Sequence, residues 1–182
     1  MARLPYLEKA DVAPEHHDML EPLVTLHQAL IHSPEVLRAM LGVGRHIRHR
    51  SQLAARLREL AIFQIAYITQ APYVWSHHLK RLAEDGVSDA DMRALEDETA
   101  GRPTTLDALT KAVLRAAREM TTELAVTDET FAVLKQHLDS ATVVDLVVCI
   151  GHYNSLVRIT KTLQIDVEDR YQIYLHQYPL PT

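Results

Sequence analysis

Apolar residues recur at helical spacing along most of the chain, and the alternation typical of a β-strand is hard to find. Within residues 52–68, for example, Leu53, Leu57 and Leu60 share one stripe, as they would on a helix facing a core. Six further segments have patterns or boundaries typical of helices: 34–48, 73–85, 88–100, 106–124, 127–138 and 142–163. The pattern therefore predicts an all-α fold, a single-domain helical bundle.

Several of these boundaries carry residues that begin or end helices. Ser33-Pro34 places a capping serine before a proline at the first helical position. Ser88, followed three residues later by Asp91, is typical of another helix start, and Gly86 is typical of a helix end. These signals predict separate helices joined by short loops.

The chain has no low-complexity linker and no break in composition, so one domain covering residues 1–182 is predicted. Residues 1–31 are expected to form a helical extension at its N-terminal side. Residues 168–182 carry more aromatic and aliphatic surface than a free tail would. We expect this tail to pack on its own domain or on a neighbouring subunit.

Composition and charge narrow the possible functions. The 182 residues are 47% hydrophobic and 24% charged, as in an ordinary globular domain. The net charge of −5 argues against a nucleic-acid partner bound through overall charge. No signal-peptide core follows the first residues, and the apolar runs 60–68 and 143–150 are too short to cross a bilayer, so no membrane partner is expected. The resulting prediction is a cytoplasmic protein.

Glu59 is the first candidate for chemistry, because on a helix it shares a stripe with Ile62 and Phe63. A carboxyl group beside so much apolar surface is expected to have a raised pKa, as a general acid or base near neutrality needs. The alternative is an exposed acid that pairs with Arg56 or Arg58.

His77 and His78 follow each other, and adjacent helical residues point about 100° apart, so only one of them can face a given site. His78 lies one turn from both Val74 and Leu82, on an apolar stripe, whereas His77 is expected on a more solvated face. His78 is therefore the stronger functional candidate. The alternative for it is a hydrogen-bonded histidine in the core.

Residues 45–50 form a basic run that includes Arg45 and Arg48. His46 and His49 stand one turn apart, a geometry that two metal ligands could use, but no carboxylate or cysteine stands at ligand spacing beside them. A solvated helix end is the preferred interpretation, anion binding the second and a metal site the third. No metal is predicted.

His152 and Tyr153 interrupt the last long helix just after an apolar run, where polar groups can line a cavity or join neighbouring helices. Cys149, on the same helix, is interpreted as a buried small hydrophobe. Because it is the only cysteine, an intramolecular disulfide and a CxxC motif are both excluded.

Taken in order, several short motifs resemble the carboxymuconolactone decarboxylase family, which also includes the alkyl hydroperoxidase D-like proteins. The motifs are LRELAI at 57–62, YxWxxH at 73–78, EDGVS at 84–88, TDETF at 127–131 and GHYN at 151–154. The resemblance extends over about residues 32–167. It implies an all-helical domain that assembles as a homo-oligomer, a trimer or a hexamer, with sites near subunit contacts.

The resemblance also separates this chain from the peroxidase branch of the family. The two cysteines of that branch fall on Ala71 and Val74, which cannot form thiolates, so dithiol peroxidase chemistry is excluded. The decarboxylase-like branch lacks the cysteines and often reads Tyr-Glu-Trp here. In this chain the middle residue is Val74, so one carboxylate of that pattern is missing.

The resulting hypothesis is a cofactor-independent lyase that decarboxylates a small carboxylated lactone or ring-derived acid. His78 would donate the proton and Glu59 would orient it or share the proton. The substrate-binding candidates are Tyr73, Trp75, Arg45, Arg48, His152 and Tyr153. The alternatives are an inactive oligomeric scaffold of the same fold, or a related isomerase or hydrolase.

The catalytic pair imposes one geometric condition. At 1.5 Å per residue, Glu59 would lie about 16 Å from a turn at Gln70, but His78 only about 9 Å from a turn at Pro72. The two side chains would therefore miss each other in a plain hairpin. The first helix must end early, within residues 66–68, and a loop through residues 69–72 must close the gap.

Overall fold

The structure, a computed structural model, describes residues 2–180, and within that range the secondary structure is entirely helical. The prediction of an all-α fold is confirmed. Two 3-10 segments, Lys9–Asp11 and Pro14–Leu20, precede the α-helices. The α-helices are α1 (Thr25–Leu30), α2 (Pro34–His49), α3 (Ala55–Ile68), α4 (Pro72–Leu79), α5 (Asp89–Thr99), α6 (Ala108–Thr122), α7 (Asp128–His137), α8 (Ser140–Leu163) and α9 (Asp169–Gln177).

Helix α3 is the centre of the bundle. Every residue from Leu57 to Ala66 is buried, including the charged ones, so no face of this stretch meets solvent. The helix packs against α4, α5, α6 and α8, and its leucines, isoleucines and Phe63 form the main core with them. A helix that is buried all round forces its polar side chains to find partners inside the protein.

Helix α4 is shorter than predicted, because it ends at Leu79 and residues 80–86 form a series of turns. In these turns the backbone hydrogen bonds join residues three positions apart, as in a 3-10 helix. The Arg81 N–H donates to the carbonyl of His78, and the Leu82 N–H donates to that of Leu79. Gly86 ends the turns with a φ of 75°, in the left-handed region that glycine adopts without strain.

Of the two serines predicted to cap a helix, one makes the capping hydrogen bond and the other does not. The Ser88 hydroxyl accepts from the Asp91 backbone N–H, so the predicted cap of α5 is confirmed. Helix α2 does begin at Pro34, but the Ser33 side chain makes no capping hydrogen bond. At this end the Ser33 carbonyl accepts from the Leu37 N–H, which is the ordinary first bond of the helix.

The end of the chain folds back over α4 of its own domain. Tyr171 on α9 is buried, and the Trp75 indole Nε1 donates to the carbonyl of Tyr178 over 2.8 Å. At the other end, the short helices before residue 31 cover α2, where Leu20 and Ile31 form a second small core with Leu37. The predicted ranges 1–182, 1–31 and 168–182 also include residues 1, 181 and 182, which lie outside the described residues.

Helix α8 is long and apolar enough to cross a membrane by length and composition, which the short apolar run at 143–150 did not suggest. It packs against α2, α3, α4, α6 and α7, and Leu146, Ile150 and Val157 on its inner face are buried in the core. The central helix of a globular domain passes the same length test, so this single helix is weak evidence for a membrane span.

Two glycines give a matched prediction for stability. Gly86→Ala is expected to lower the free energy of unfolding by about 1 to 2 kcal/mol, because alanine is strained at positive φ. Gly42→Ala, within α2, is expected to raise it by about 0.5 to 1 kcal/mol, since a Cβ there meets no atom within 4 Å. Urea unfolding of both variants measures the difference. Effects of the same sign would contradict this account of the turn.

Candidate functional site

Glu59 and His78 meet inside the bundle. Helix α3 ends at Ile68, within the range that the geometric condition required, and a loop of residues 69–71 leads directly into α4 at Pro72. Gln70 makes the reversal with a φ of 52°. The Oε2 atom of Glu59 lies 2.5 Å from Nδ1 of His78, and both side chains are buried. The short loop therefore gives the pair its contact.

A buried chain of charges extends from this pair. Arg58 donates from Nε to the other oxygen of Glu59, Oε1, over 3.0 Å, and from Nη2 to Oδ1 of Asp85 over 2.8 Å. Arg81 donates from Nε to Oδ2 of Asp85 over 3.2 Å. Positive and negative groups alternate along this series of contacts, in the order Arg81, Asp85, Arg58, Glu59 and His78. Each buried charge therefore has a partner of opposite sign.

These partners reverse the expected ionisation of Glu59. Burial by itself would raise the pKa of this carboxyl group, as the sequence analysis expected. The adjoining His78 and the Arg58 guanidinium outweigh burial and lower the pKa of Glu59 to about 2. Glu59 is therefore an ionised acceptor near neutral pH, and Nδ1 of His78 is the donor in their hydrogen bond. Nε2 is the ring nitrogen left for a ligand.

His78 lines a cleft of about 660 Å³ that is partly open to solvent. The cleft lies among α1, α2, α4 and α8, and five of the other predicted site residues also line it: Tyr73, Arg45, Arg48, His152 and Tyr153. Its apolar wall includes Leu37, Leu41 and Leu156. A concave site of this size, with an apolar wall and a few polar groups, suits a small organic ligand.

Two arginines of helix α2 line the cleft, whose lining also includes the carboxylates of Asp18, Glu21 and Glu84. Arg45 and Arg48 project from α2, and within residues 2–180 neither has a carboxylate within ion-pair distance. Arg48 interacts with the hydroxyl of Tyr153, whose ring packs edge-on to His78 with the ring centres 5.0 Å apart. Burial raises the pKa of Tyr153, so its hydroxyl stays protonated. Both arginines thus line the same cleft as the imidazole and are available to an anion.

His152 extends this polar side of the cleft. Its Nε2 atom lies 3.8 Å from the point where a Cβ would stand on Gly44, so it contacts helix α2 closely. Burial lowers the pKa of His152, which favours its neutral form.

Two of the predicted site residues lie outside the cleft. Glu59 stands behind His78 and reaches the cleft only through that imidazole. Trp75 was expected to shape the pocket, but its side chain points into the core and packs edge-on to Phe63 at 5.3 Å. Phe63 of α3 and the carbonyl of Tyr178 in the returning tail hold it there.

His77 also differs from expectation, because it is half-buried and not on a solvated face. Its ring is stacked between those of Tyr73 and Tyr171, with ring centres 4.2 and 3.8 Å away. Its Nε2 atom lies 2.7 Å from Oε2 of Glu168. The returning helix α9 supplies both Tyr171 and Glu168, and this cover could not be inferred from the spacing around His77 alone.

The two histidines considered as metal ligands, His46 and His49, lie in different surroundings. His46 binds Oδ1 of Asp145 through Nε2 at 3.0 Å, while His49 lines the cleft. Among the described residues, no group of three or more potential ligands is arranged to hold a metal ion. Cys149 is buried, and burial raises the pKa of its thiol to about 12, so it stays a neutral thiol.

Comparison with known sequences matches one segment of the chain to a family. Residues 34–119 match the carboxymuconolactone decarboxylase family, a segment that contains α2 to α5, most of α6 and both members of the Glu59–His78 pair. This segment is similar to that family and spans a little under half of the 182 residues. No protein with a curated description matches the chain in sequence.

Solved structures share the fold of this chain at low sequence identity. An uncharacterised peroxidase-related protein with an alkylhydroperoxidase AhpD core, from Ralstonia eutropha JMP134, is 18% identical with a TM-score of 0.75, over 96% of this chain and 95% of that chain. The debrominase Bmp8, as a cysteine-to-alanine variant in complex with 2,3,4-tribromopyrrole, is 18% identical with a TM-score of 0.78, over 94% of each chain. A peroxidase-related protein from Silicibacter sp. TM1040 is 18% identical with a TM-score of 0.67, over 93% of each chain.

Sequence reasoning missed the two residues that complete the buried chain of charges. Arg58 was considered only as a surface partner of Glu59, and Asp85 was used only as a helix end. One signal could have pointed to them: Arg58-Glu59 stands in the middle of an apolar helix that is buried on all sides. Two adjacent charges there require a further anion, and Asp85 supplies it.

Proposed function

We propose that this protein is a cofactor-independent lyase that decarboxylates a small carboxylated lactone or ring-derived acid. The observation that supports it is the contact between ionised Glu59 and Nδ1 of His78, with the imidazole on the wall of a cleft that Arg45 and Arg48 also line. Decarboxylation needs a group that delivers a proton to carbon and a cation that holds the acid. The residues of this cleft can supply both.

In the proposed reaction, Arg45 and Arg48 hold a carboxylate of the substrate against the cleft wall. The bond to the leaving carboxylate breaks, CO2 departs, and its electron pair passes into a conjugated carbonyl of the substrate. Protonated His78 then gives its Nε2 proton to the resulting carbanion, while Glu59 stabilises the imidazolium charge before the transfer. The imidazole regains its proton from water. Atoms and charge balance without a cofactor.

The test is release of CO2 from a panel of carboxylated lactones and unsaturated ring acids, followed with the purified protein and with a heat-denatured sample. We expect enzyme-dependent CO2 from at least one acid of the panel. Because Arg48 is assigned to the carboxylate, Arg48→Met is expected to raise KM by about tenfold or more with a smaller change in kcat. Unchanged KM in this variant would contradict that assignment.

A related isomerase is the second candidate, and the ionisation of Glu59 favours it. When Glu59 is ionised and His78 is neutral, Nε2 carries a lone pair and can remove a proton from a carbon next to a carbonyl. Returning that proton elsewhere on the substrate would isomerise it without loss of CO2. Incorporation of solvent deuterium into an acid of the panel, without CO2 release, would support the isomerase over the lyase. Neither reaction with any acid would favour the inactive scaffold.

The homo-oligomer, a trimer or a hexamer, remains a proposal. Its support is a stripe on the outer face of α8, where Val144, Val147 and Val148 are exposed beside Gly151. These residues share one helix face and carry no charge, so a second copy could approach closely.

The stripe gives a direct test of assembly. Val148→Glu is expected to reduce the mass in solution to that of a single chain, because the introduced carboxylate would be buried without a partner. Light scattering during size-exclusion chromatography measures the mass. Val36→Glu is the control, since Val36 is an exposed valine on α2, away from the stripe. An assembly that survives Val148→Glu would exclude this face of α8 as the contact.

A further inference from the structure

Arg58 has no contact with the cleft, yet it holds the carboxylate on which His78 depends. We propose that Arg58, anchored by Asp85, is a positioning residue that keeps the His78 proton on Nδ1 and leaves Nε2 to the cleft. The role of Nε2 in turnover rests on the proposed function. The position of the proton does not, because it is a property of the protein without substrate.

The first support is that each carboxylate oxygen of Glu59 has its own partner. Oε1 accepts from Arg58 Nε, and Oε2 lies against Nδ1 of His78. With both oxygens engaged, the carboxylate cannot rotate away from the imidazole. A hydrogen bond to one ring nitrogen of a histidine determines which nitrogen carries the proton.

The second support is the anchoring of Arg58 itself. Its guanidinium is buried and joins two carboxylates through different nitrogens, Nε to Glu59 and Nη2 to Asp85. The second oxygen of Asp85 accepts from Arg81, a residue that lines the same cleft as His78. The chain of charges therefore starts and ends at the cleft, and Arg58 is its only buried cation with a fixed charge.

Loss of Arg58 has a specific consequence for the proton. Glu59 would then be a buried carboxylate without its fixed cation, and burial would favour its neutral form. A neutral Glu59 donates its proton to Nδ1 of His78 and does not accept one. The imidazole would carry its proton on Nε2, and the lone pair would turn away from the cleft.

The experiment reads the proton position directly by NMR of protein with nitrogen-15-labelled histidine, at neutral pH, where a buried Glu59 without its cation can hold a proton, and without substrate. The signal of His78 is assigned by its loss in His78→Gln. Arg58→Met is compared with wild type, with Arg58→Lys, and with Arg56→Met. Arg56 is the matched control, because it lies on the same helix and forms an ion pair with Asp91, outside the Glu59 network.

We expect the wild type and Arg56→Met to carry the proton on Nδ1. In Arg58→Met the ratio of the two tautomers should move toward Nε2 by about tenfold or more, since hydrogen bonds to charged groups are worth at least that factor. Arg58→Lys, which keeps the charge, should recover part of the wild-type ratio. A proton that stays fully on Nδ1 in Arg58→Met overturns the proposal, and so does an equal shift in Arg56→Met.

If Arg58→Met does not fold, the variant Asp85→Asn tests the positioning role of Arg58 instead. It removes the anchor but leaves Arg58 and Glu59 in place, so a smaller shift toward Nε2 is expected and an unchanged tautomer overturns the proposal. The outcome is separable from the proposed function. A wild type that releases no CO2 but shows the Arg58-dependent tautomer refutes the lyase alone, and turnover with an Arg58-independent tautomer refutes the positioning role alone.

Discussion

His78→Gln is expected to lower kcat/KM for CO2 release by about 10²- to 10⁴-fold, the usual contribution of a positioned acid or base. Glutamine is close in size and can still hydrogen-bond Glu59, but it cannot deliver a proton at neutral pH. The rate of CO2 release at several substrate concentrations, measured for both proteins, gives the ratio.

His46→Gln is the control for this loss, since His46 pairs with Asp145 and does not line the cleft. It should retain the wild-type rate within about twofold, the scale expected for an exposed substitution. Full turnover in His78→Gln would refute the proposed mechanism even if CO2 is released, because no other imidazole in the cleft lies against a carboxylate of the buried chain.

Lowering the pH is expected to reduce the free energy of unfolding by about 3 kcal/mol through protonation of Glu59 alone. Its pKa is lowered from 4.5 to about 2 in the folded protein, so its contribution is present above pH 4.5 and is lost as the pH falls through about 2. Burial raises the pKa of Glu168, but hydrogen bonds from His77 and from the Thr25 backbone outweigh burial and lower this pKa to about 2. Protonation of Glu168 therefore adds a loss in the same range. Urea unfolding at a series of pH values measures both.

Glu59→Gln isolates the first contribution, because glutamine cannot titrate. This variant should be less stable than the wild type above about pH 5, and the difference between the two should shrink toward zero near pH 2. Glu168→Gln should show the same convergence independently, since the two carboxylates belong to separate networks. A constant difference between wild type and Glu59→Gln across the pH range would show that Glu59 is not held ionised.

The helices could be predicted from sequence because the signals that define them are local. The spacing of apolar residues and the capping residues Ser88 and Thr127 act within a few positions, so they found the segments and several starts. The end of α4 was placed too late because residues 80–86 still allow helical spacing. In the turns there Asp85 contacts Arg58 of α3, a contact between distant positions that local pattern cannot show.

The candidate pair could also be predicted, but its electrostatics could not. The stripe beside Glu59 correctly indicated burial, and burial alone implies a raised pKa. The shift has the opposite sign because His78 and then Arg58 contact the carboxylate and outweigh burial. Arg58 reaches Glu59 although adjacent helical residues point about 100° apart. Asp85, 27 positions from Arg58, then completes the pairing through the tertiary fold.

The cleft is the part of the site that the sequence could least define. Its walls come from α1, α2, α4 and α8, which only the tertiary fold brings together: α4 and α8 pack on α3 and on each other, and α2 packs on α1 and α8. The resemblance placed Trp75 in the site because it stands in the same motif as His78. Residues three positions apart lie only about 60° apart around a helix, so the spacing did not separate them. Tertiary contacts decide the difference, because Phe63 of α3 and the Tyr178 carbonyl hold Trp75 in the core.

That inward position gives the protein an intrinsic fluorescent reporter. Trp75 is the only tryptophan of the chain, so all indole emission comes from one buried ring on α4. Its Nε1 is bonded to Tyr178, which means that detachment of the chain end would expose the indole to water and shift its emission to longer wavelength. Emission from unlabelled protein can therefore follow the docking of α9 separately from unfolding of the whole bundle.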